Sequence, residues 1–213
     1  MTLFGGMTTE DDAKDTGDKI KIFGRYSDMG ACRGCCVCEA PDAKTIADWA
    51  FNWKDMATIN TWPMVTDDEL RKIILKKDPA FSRDYSKYCN AEPKEGESLY
   101  WIRFKLYTET KMKAYELLAN MTEEQDVGDS GAVTPYIRCH NMGSGTGVII
   151  ASAPTAADVH AWAFNWAPMC ECEITPVTTD MQCRDVITSK PDFKKKHAAL
   201  MLKMGMGITS NGH

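Results

Sequence analysis

The sequence predicts an α+β fold made of two copies of one small domain. The string WAFNW occurs twice, at residues 49–53 and 162–166. When the sequence is aligned with itself so that these two strings coincide, residues 20–77 align without a gap on residues 133–190. Of the 58 aligned positions, 19 are identical. Strand-like and helix-like spacings of apolar residues alternate along each copy. An internal repeat at a fixed distance indicates duplication, and 213 residues suffice for two small domains.

The second copy predicts strands and helices in the order βαββαβ, followed by one further short helix. The predicted strands are residues 99–107, 133–141, 148–152 and 170–174, and the predicted helices are residues 110–121, 155–166 and 179–189. Alternating apolar and polar residues mark the first strand. Thr155 and Asp158 form a capping box at the start of the second helix, and Pro176 predicts the end of the fourth strand. This order is the ferredoxin-like pattern.

The first copy is incomplete at its start. Residues 7–12 resemble residues 121–126, which follow the first predicted helix of the second copy. The first strand and most of the first helix are therefore missing from this copy, and another segment is expected to fill the gap. The candidates are residues 197–208, residues 1–6 or a strand from a second chain. The predicted layout is an incomplete N-terminal repeat, a linker, a complete C-terminal repeat and a tail, at residues 1–78, 79–97, 98–190 and 191–213.

A motif with fixed spacing runs through the copies. In the first copy it consists of an Ala-Pro pair together with Gly24, Arg25, Tyr26, Gly30, Gly34, Trp49 and Trp53. In this motif the chain resembles the domain of unknown function 3303 family, over residues 18–75 and 98–190. The resemblance implies a pseudo-dimeric α/β barrel, in which two ferredoxin-like sheets pack face to face, and it implies no activity. The second copy departs from Gly-Arg-Tyr and keeps only its arginine, Arg138.

The composition argues against several classes of partner. A net charge of −5 without a Lys/Arg-rich run disfavours nucleic acid and anionic membranes. No apolar run approaches the ~20 residues that span a bilayer, and residues 1–19 lack the layout of a signal peptide. Nine cysteines, an odd number, favour the cytoplasm or another reducing compartment. No cofactor is expected. The glycines at 143, 145 and 147 join two strands and do not precede a helix, so they do not form a phosphate-binding loop.

Four cysteines cluster in the first copy at spacings that metal ligands also use, namely Cys32, Cys35, Cys36 and Cys38. Under the repeat alignment the last three lie over valine, isoleucine and alanine, as small buried hydrophobic residues would. Neighbouring residues of a strand also point to opposite faces. We interpret the cysteines as free core thiols and expect no metal; metal or redox chemistry is the alternative. This interpretation explains Cys32 least well, because Cys32 aligns with Gly145.

Each copy places two tryptophans four residues apart on its second predicted helix, at Trp49 and Trp53 and at Trp162 and Trp166. Residues with this spacing share one helix face. The pair is expected to cover the sheet. In the alternative interpretation, one indole of each pair lines the mouth of a pocket.

Strand alternation predicts a polar sheet face away from the helices. The predicted ligand-binding residues on it are Phe23, Arg25, Trp62, Trp101, Arg103, Tyr136, Arg138, His140, Glu171 and Glu173. On an open surface these charges need no partners. If the two sheets close on each other, buried charges must pair, and the two arginines of the second copy are expected to pair with its two glutamates. In the first copy those acidic positions hold Thr58 and Asn60, so Arg25 would seek a carboxylate or another anion.

Three functions remain open from the sequence. The leading hypothesis is a module that holds a small anionic or carboxylate-bearing ligand between the sheets. The second is a cofactor-independent enzyme of the monooxygenase or isomerase type, with His140 as the candidate general base beside Arg138. This rests on analogy of fold, so the sequence does not decide whether the protein is an enzyme. The third is a structural or interaction subunit, as a homo-oligomer or with a partner chain that supplies a strand.

Overall fold

The computed structural model describes residues 2–81 and 91–203 and confirms an α+β fold. The strands are β1 Lys21–Asp28, β2 Arg33–Glu39, β3 Val65–Thr66, β4 Ser98–Leu106, β5 Thr134–Asn141, β6 Thr146–Ala153 and β7 Cys170–Thr179. The helices are α1 Thr2–Gly6, α2 Thr9–Thr16, α3 Ala43–Asn52, α4 Asp67–Leu75, α5 Lys111–Asn120, α6 Glu123–Ser130, α7 Ala156–Trp166, α8 Asp180–Thr188 and α9 Phe193–Lys203. Within the described ranges, no helix combines the length and apolar character that crossing a membrane requires.

The chain divides into two compact units that differ from the sequence copies. The terminal unit contains Met1–Ile59 and Thr178–His213, and the central unit contains Asn60–Val177. Helix α4 of the first copy therefore belongs to the central unit, and helix α8 of the second copy belongs to the terminal unit. The predicted boundaries follow the sequence copies, whereas each compact unit combines segments from both copies.

The central unit is an antiparallel sheet in the strand order β7-β4-β6-β5-β3, covered by helices. One core cluster joins Ile102 and Ile149 of the sheet to Val159 and Trp162 of α7. A second cluster joins α4 and α5 to the ends of β4 and β7. Each fully buried aliphatic side chain contributes about 1.5–3 kcal/mol to the free energy of folding, so these clusters fix the helices against the sheet.

Two details of the central unit differ from the sequence prediction. The chain forms an additional helix, α6, after α5, because Thr122 begins it with a capping box to Gln125. Strand β7 also does not stop at Pro176, which lies opposite Tyr100, and it continues to Thr179. Proline removes one backbone donor, and the pairing of β7 with β4 tolerates that loss.

In the terminal unit, β1 and β2 form a hairpin, and the last two residues of β7 pair with Tyr26 and Ser27. Helix α1 packs against α8 and α9. The prediction that the tail or residues 1–6 supply a strand is wrong for the described residues, because α9 and α1 are helical there. Alanine, leucine, lysine and methionine favour a helix in α9. Residues 204–208 of the predicted tail strand and residues 82–90 of the predicted linker lie outside the described residues.

Candidate functional site

A β-bulge in β5 decides which side chains face the helices of the central unit. The register of β5 against β6 shifts around Tyr136, which has no opposite residue. Beyond it, Arg138 lies opposite Ile149, a member of the helix-covered core. One extra residue moves every later side chain to the other face. The prediction that Arg138 and His140 lie on the face away from the helices is therefore wrong.

The hairpin of the terminal unit has the same irregularity. Its register shifts around Phe23, the residue aligned with Tyr136. Arg25 consequently faces helices α2 and α8, where its Nη1 lies 3.0 Å from Asp12 Oδ1 and 3.6 Å from Asp180 Oδ2. The expectation that Arg25 has no acidic partner is wrong. The main sequence argument for an anionic ligand therefore no longer holds.

Four ionisable side chains meet in the interior of the central unit. The guanidinium of Arg138 donates from Nε to Asp67 Oδ2 at 2.7 Å and from Nη2 to Asp126 Oδ1 at 2.7 Å. His140 Nε2 lies 2.6 Å from Asp67 Oδ1. None of the four is more than 5% exposed. The prediction that Arg138 pairs with a glutamate of β7 is wrong, because the bulge turns Arg138 towards carboxylates on α4 and α6.

Asp67 is ionised in this setting. Burial opposes its charge, but the charge of Arg138 and the hydrogen bond with His140 outweigh that cost and hold the pKa of Asp67 well below its usual value. Asp67 is also the first residue of α4, where the helix dipole favours a negative side chain. An ionised carboxylate only accepts hydrogen bonds, so Nε2 of His140 must carry the proton between them.

A cavity of about 70 Å³ lies between the sheet of the central unit and helices α5 and α7. It is lined by Ile102, Phe104, Leu106, Ala114, Tyr115, Leu118, Arg138, His140, Ile149, Trp162, Ala163, Trp166, Cys170 and Cys172. A single buried water needs about 10–15 Å³, so the cavity admits a group considerably larger than water. Most of its wall is aliphatic or aromatic, which is typical of small-molecule sites.

Two polar atoms on residues of the cavity wall have no hydrogen-bond partner among the described residues. They are Tyr115 Oη and His140 Nδ1, and both are buried. The rings of Tyr115 and His140 meet edge to face with centroids 6.4 Å apart. Burial raises the pKa of Tyr115, so its hydroxyl keeps its proton and can donate a hydrogen bond. Nδ1 of a neutral His140 can accept one.

An aspartate orients both tryptophans of α7 beside this cavity. Asp129 accepts hydrogen bonds from the indole N–H groups of Trp162 and Trp166, each at 2.8 Å. In the terminal unit, Asp15 accepts the equivalent bonds from Trp49 of α3 at 2.7 Å and from Trp53, which directly follows α3, at 3.1 Å. Trp162 also packs in the core, as the sheet-covering interpretation predicted. Both indoles of α7 line the cavity, whereas the alternative interpretation predicted that one indole of each pair lines a pocket.

The family comparison agrees with the two copies. The family model described as "Domain of unknown function (DUF3303)" matches residues 4–78 and 98–190. The chain belongs to this family. Neither a curated protein nor a solved structure matches it. The family description names no activity, so any function must be argued from the geometry of the two DUF3303 copies.

The two DUF3303 copies share the residues that hold helices together. Arg71 of α4 donates to backbone oxygens at the end of α5, and Arg184 of α8 does the same at the end of α1. His140 is different, because the aligned residue of the first copy is Ser27. What the copies have in common therefore stabilises each unit, whereas the histidine beside the cavity belongs to one unit alone.

The other predicted binding residues do not line the cavity. On the opposite sheet face, Arg103 pairs with Glu173 as predicted and lies over the Trp101 ring at 4.8 Å. The Tyr136 hydroxyl is 2.9 Å from Ser152 Oγ on that face. The remaining predicted residues outside the cavity wall are Phe23, Arg25, Trp62 and Glu171. Of the ten predicted residues, the structure brings only Arg138 and His140 to the cavity.

The described cysteines are free thiols in three environments. Cys139, Cys170 and Cys183 are buried, Cys35, Cys36, Cys38 and Cys172 are half-buried, and Cys32 is exposed. Burial raises the pKa of Cys139 to about 12, so this thiol is not reactive at neutral pH. Cys32 has φ 52° at the hairpin position where Gly145 has φ 74°, and it is therefore a turn residue. Among the described residues, no group of three or more His, Cys, Asp or Glu side chains could hold a metal ion.

Sequence reasoning missed three residues of this site, Asp67, Asp126 and Tyr115. For Asp67 the sequence does contain a signal, because Asp67 aligns with an identical residue, Asp180, in the second copy. Asp126 aligns with Asp12 once residues 7–12 are placed over residues 121–126. For Tyr115 the sequence holds no signal, because a tyrosine on an amphipathic helix is ordinary.

Proposed function

We propose that the central unit binds a small, largely apolar molecule in its cavity and holds one polar group of that molecule with Tyr115 and His140. The observation that carries this proposal is the pair of buried atoms, Tyr115 Oη and His140 Nδ1, that lack partners beside an apolar cavity. Leaving a buried donor or acceptor unsatisfied costs about 1–3 kcal/mol. A hydroxyl group of a ligand would remove that cost for both, whereas a carbonyl group, which only accepts hydrogen bonds, would remove it for Tyr115 alone.

The ligand group we favour is a hydroxyl or a carbonyl and not a carboxylate. Arg25, the arginine that suggested an anion, is paired with an aspartate of the terminal unit, and Arg138 is paired with two aspartates of the central unit. A carboxylate would add a third negative charge beside Asp67 and Asp126, which electrostatic repulsion disfavours. A weakly acidic hydroxyl can instead donate to His140 Nδ1 and accept from Tyr115.

We also infer that the central unit is a ferredoxin-like domain. Its elements β4, α5, β5, β6, α7 and β7 follow the order βαββαβ, apart from the additional helix α6. The antiparallel strand order β7-β4-β6-β5 supports the inference. In this arrangement the cavity lies on the helix-covered face of the sheet, whereas the alternation of side chains predicted the ligand on the other face. The pseudo-dimeric barrel stays a prediction.

Binding of 4-nitrophenol, measured at a pH below the pKa of its hydroxyl so that the phenol is neutral, tests the proposed site. This single-ring phenol carries the favoured weakly acidic hydroxyl, and saturation-transfer NMR and absorbance report its binding. We expect one site per chain with a dissociation constant of about 0.1–1 mM, which is typical of a ligand with about ten heavy atoms. 4-Nitrobenzoate, which replaces the hydroxyl by a carboxylate, is expected to bind more weakly. Tighter binding of 4-nitrobenzoate would favour the anionic ligand.

Ala163→Phe and Ala50→Phe form a matched pair for this test. Ala163 is half-buried on α7 and lines the cavity, whereas Ala50 is half-buried at the aligned position of α3. Ala163→Phe should fill the cavity and weaken 4-nitrophenol binding at least tenfold, and Ala50→Phe should leave it unchanged. Tyr115→Phe should weaken binding about threefold to tenfold through the lost hydrogen bond. Equal binding by wild type and Ala163→Phe would overturn the proposal.

A further inference from the structure

We propose that His140, held by Asp67, is a general base that removes a proton from the carbon next to a carbonyl group of a ligand in this cavity. Tyr115 donates a hydrogen bond to the carbonyl oxygen in the same step. This inference rests on the proposed ligand site and adds a reaction type, proton abstraction leading to an enolate. The resulting activity is that of an isomerase or a related proton-transfer enzyme that needs no cofactor.

The geometry of His140 is that of an oriented imidazole base. Asp67 Oδ1 lies 2.6 Å from Nε2, and both side chains are at most 3% exposed. The carboxylate fixes the proton on Nε2, leaves the lone pair of Nδ1 for a substrate, and stabilises the imidazolium that forms when Nδ1 takes a proton. Phe104 restrains the ring from the sheet side, with its centroid 5.6 Å from that of His140.

Arg138 keeps the aspartate in its supporting role. It binds Asp67 Oδ2, the oxygen that does not face the histidine, and it also binds Asp126. Asp67 is therefore held from two sides and cannot rotate away from the imidazole without breaking a buried ion pair. Arg138 is a positioning residue in this proposal, because it acts on the substrate only through Asp67 and His140.

Tyr115 supplies the second requirement of proton abstraction, a donor for the developing oxyanion. Its hydroxyl is buried, keeps its proton because burial raises its pKa, and has no partner among the described residues. The apolar wall around it reduces the screening by water, which makes a hydrogen bond to a developing negative charge stronger than it would be in solution. One such donor typically contributes about 10²–10³-fold to a rate.

The step balances without an added oxidant, reductant or metal. The C–H bond next to the carbonyl breaks, and its electron pair forms a carbon–carbon double bond while the C=O pair moves onto oxygen. The proton goes to His140 Nδ1, and the imidazolium is paired with Asp67. If the proton on Nδ1 is replaced from solvent before it returns to the same carbon, the result is exchange with solvent, and return of a proton to another carbon gives isomerisation.

Hydrogen–deuterium exchange of 2-indanone measures this step directly. In D₂O the methylene proton signals of this ketone disappear in the NMR spectrum as exchange proceeds, and saturation transfer in the same sample reports binding. We expect wild-type protein to accelerate exchange about 10²–10⁴-fold over buffer. His140→Gln should return exchange to the buffer rate while binding persists, because glutamine can still donate to Asp67. Tyr115→Phe should slow exchange about 10²-fold.

The first copy provides the control, because Ser27 occupies the position aligned with His140. Ser27→Ala should exchange 2-indanone at the wild-type rate. Binding of 2-indanone without accelerated exchange, or an unchanged rate in His140→Gln, would overturn the general base while leaving the ligand site intact. Absence of 2-indanone binding would overturn the general base, and it would overturn the ligand site as well if 4-nitrophenol also fails to bind. If His140→Gln does not fold, as judged by circular dichroism, a wild-type rate in Tyr115→Phe would count against the mechanism.

Discussion

Replacing Asp67 by asparagine should destabilise the protein much more than the same change at the aligned residue Asp180. Asp67 is 1% exposed and accepts hydrogen bonds from Arg138 and His140. Asparagine keeps the shape but removes the charge, so Arg138 loses one of its buried carboxylate partners. Breaking a buried ion pair in this way costs about 3–5 kcal/mol. For a chain of this size that corresponds to a fall in melting temperature of roughly 6–20 °C.

Asp180→Asn is the matched control for this change. Asp180 also begins a helix directly after a capping threonine, so both substitutions lose the same favourable interaction with a helix dipole. Its side chain is 23% exposed and lies 3.6 Å from Arg25 and 3.4 Å from Arg184. A partly solvated pair of this kind contributes about 0–1 kcal/mol. The expected loss is therefore several times smaller than at Asp67.

Differential scanning calorimetry and urea unfolding followed by circular dichroism measure both variants. Calorimetry also shows whether the two units unfold in one transition or in two, which matters because a single free energy of unfolding assumes one transition. We expect a clear loss for Asp67→Asn and a small loss for Asp180→Asn. Equal losses in the two variants, or a neutral Asp67→Asn, would refute the reasoning that the buried cluster holds the central unit together.

Three further predictions concern stability. The pKa of Asp67 in the folded state lies below its unfolded value of 3.8, so the contribution of its ionised form to stability is complete above about pH 5 and is lost as the pH falls further. In Asp67→Asn the urea midpoint should therefore depend less on pH in the acid range than it does in wild type. Parallel curves for the two proteins would contradict this. Tyr115→Phe should raise the free energy of unfolding of the ligand-free protein by about 1–3 kcal/mol, because it removes a buried hydroxyl that has no partner among the described residues; a loss of stability would reveal a structural bond. Cys32→Gly should raise the urea midpoint by the equivalent of about 1 kcal/mol, because Cys32 has φ 52° where Gly145 has φ 74°; a lower midpoint would show that the turn needs the side chain.

The parts of the fold that depend on local periodicity could be predicted from the sequence. The two WAFNW strings lie at the ends of α3 and α7, and the alternation in residues 99–107 corresponds to β4. On β4 and β7 the predicted faces are also right, as the Arg103–Glu173 pair shows. Side-chain direction in these segments follows from spacing alone, because no residue interrupts the regular geometry.

The bulges could not be predicted, and they explain the errors about the site. Phe23 and Tyr136 are aligned, so both copies contain the extra residue and the alignment has no gap to reveal it. Strict alternation then gave the wrong face for Arg25, Arg138 and His140. Comparison within one chain detects differences between the copies, and an irregularity that both copies share remains hidden.

The pairing of Asp67 with Arg138 was hidden for a different reason. These residues are 71 positions apart and belong to different sequence copies. The predicted partners of Arg138 were the glutamates of its own copy, whereas helix α4 of the first copy packs in the central unit. Such an exchange of segments depends on tertiary packing, which leaves no periodic signal in the sequence.

The most direct test of the ligand site is the ¹⁵N NMR spectrum of histidine-labelled protein during addition of 4-nitrophenol, with the His140 signals assigned from His140→Gln. The account predicts a proton on Nε2 of His140, as its contact with Asp67 requires, and a lone pair on Nδ1 before the addition, as the proposed ligand site requires. The Nδ1 signal should then shift as the ligand binds, in wild type and in Ala50→Phe, and should not move in Ala163→Phe. A His140 signal that is unchanged when 4-nitrophenol is bound, or that shifts equally in Ala163→Phe, would contradict the account.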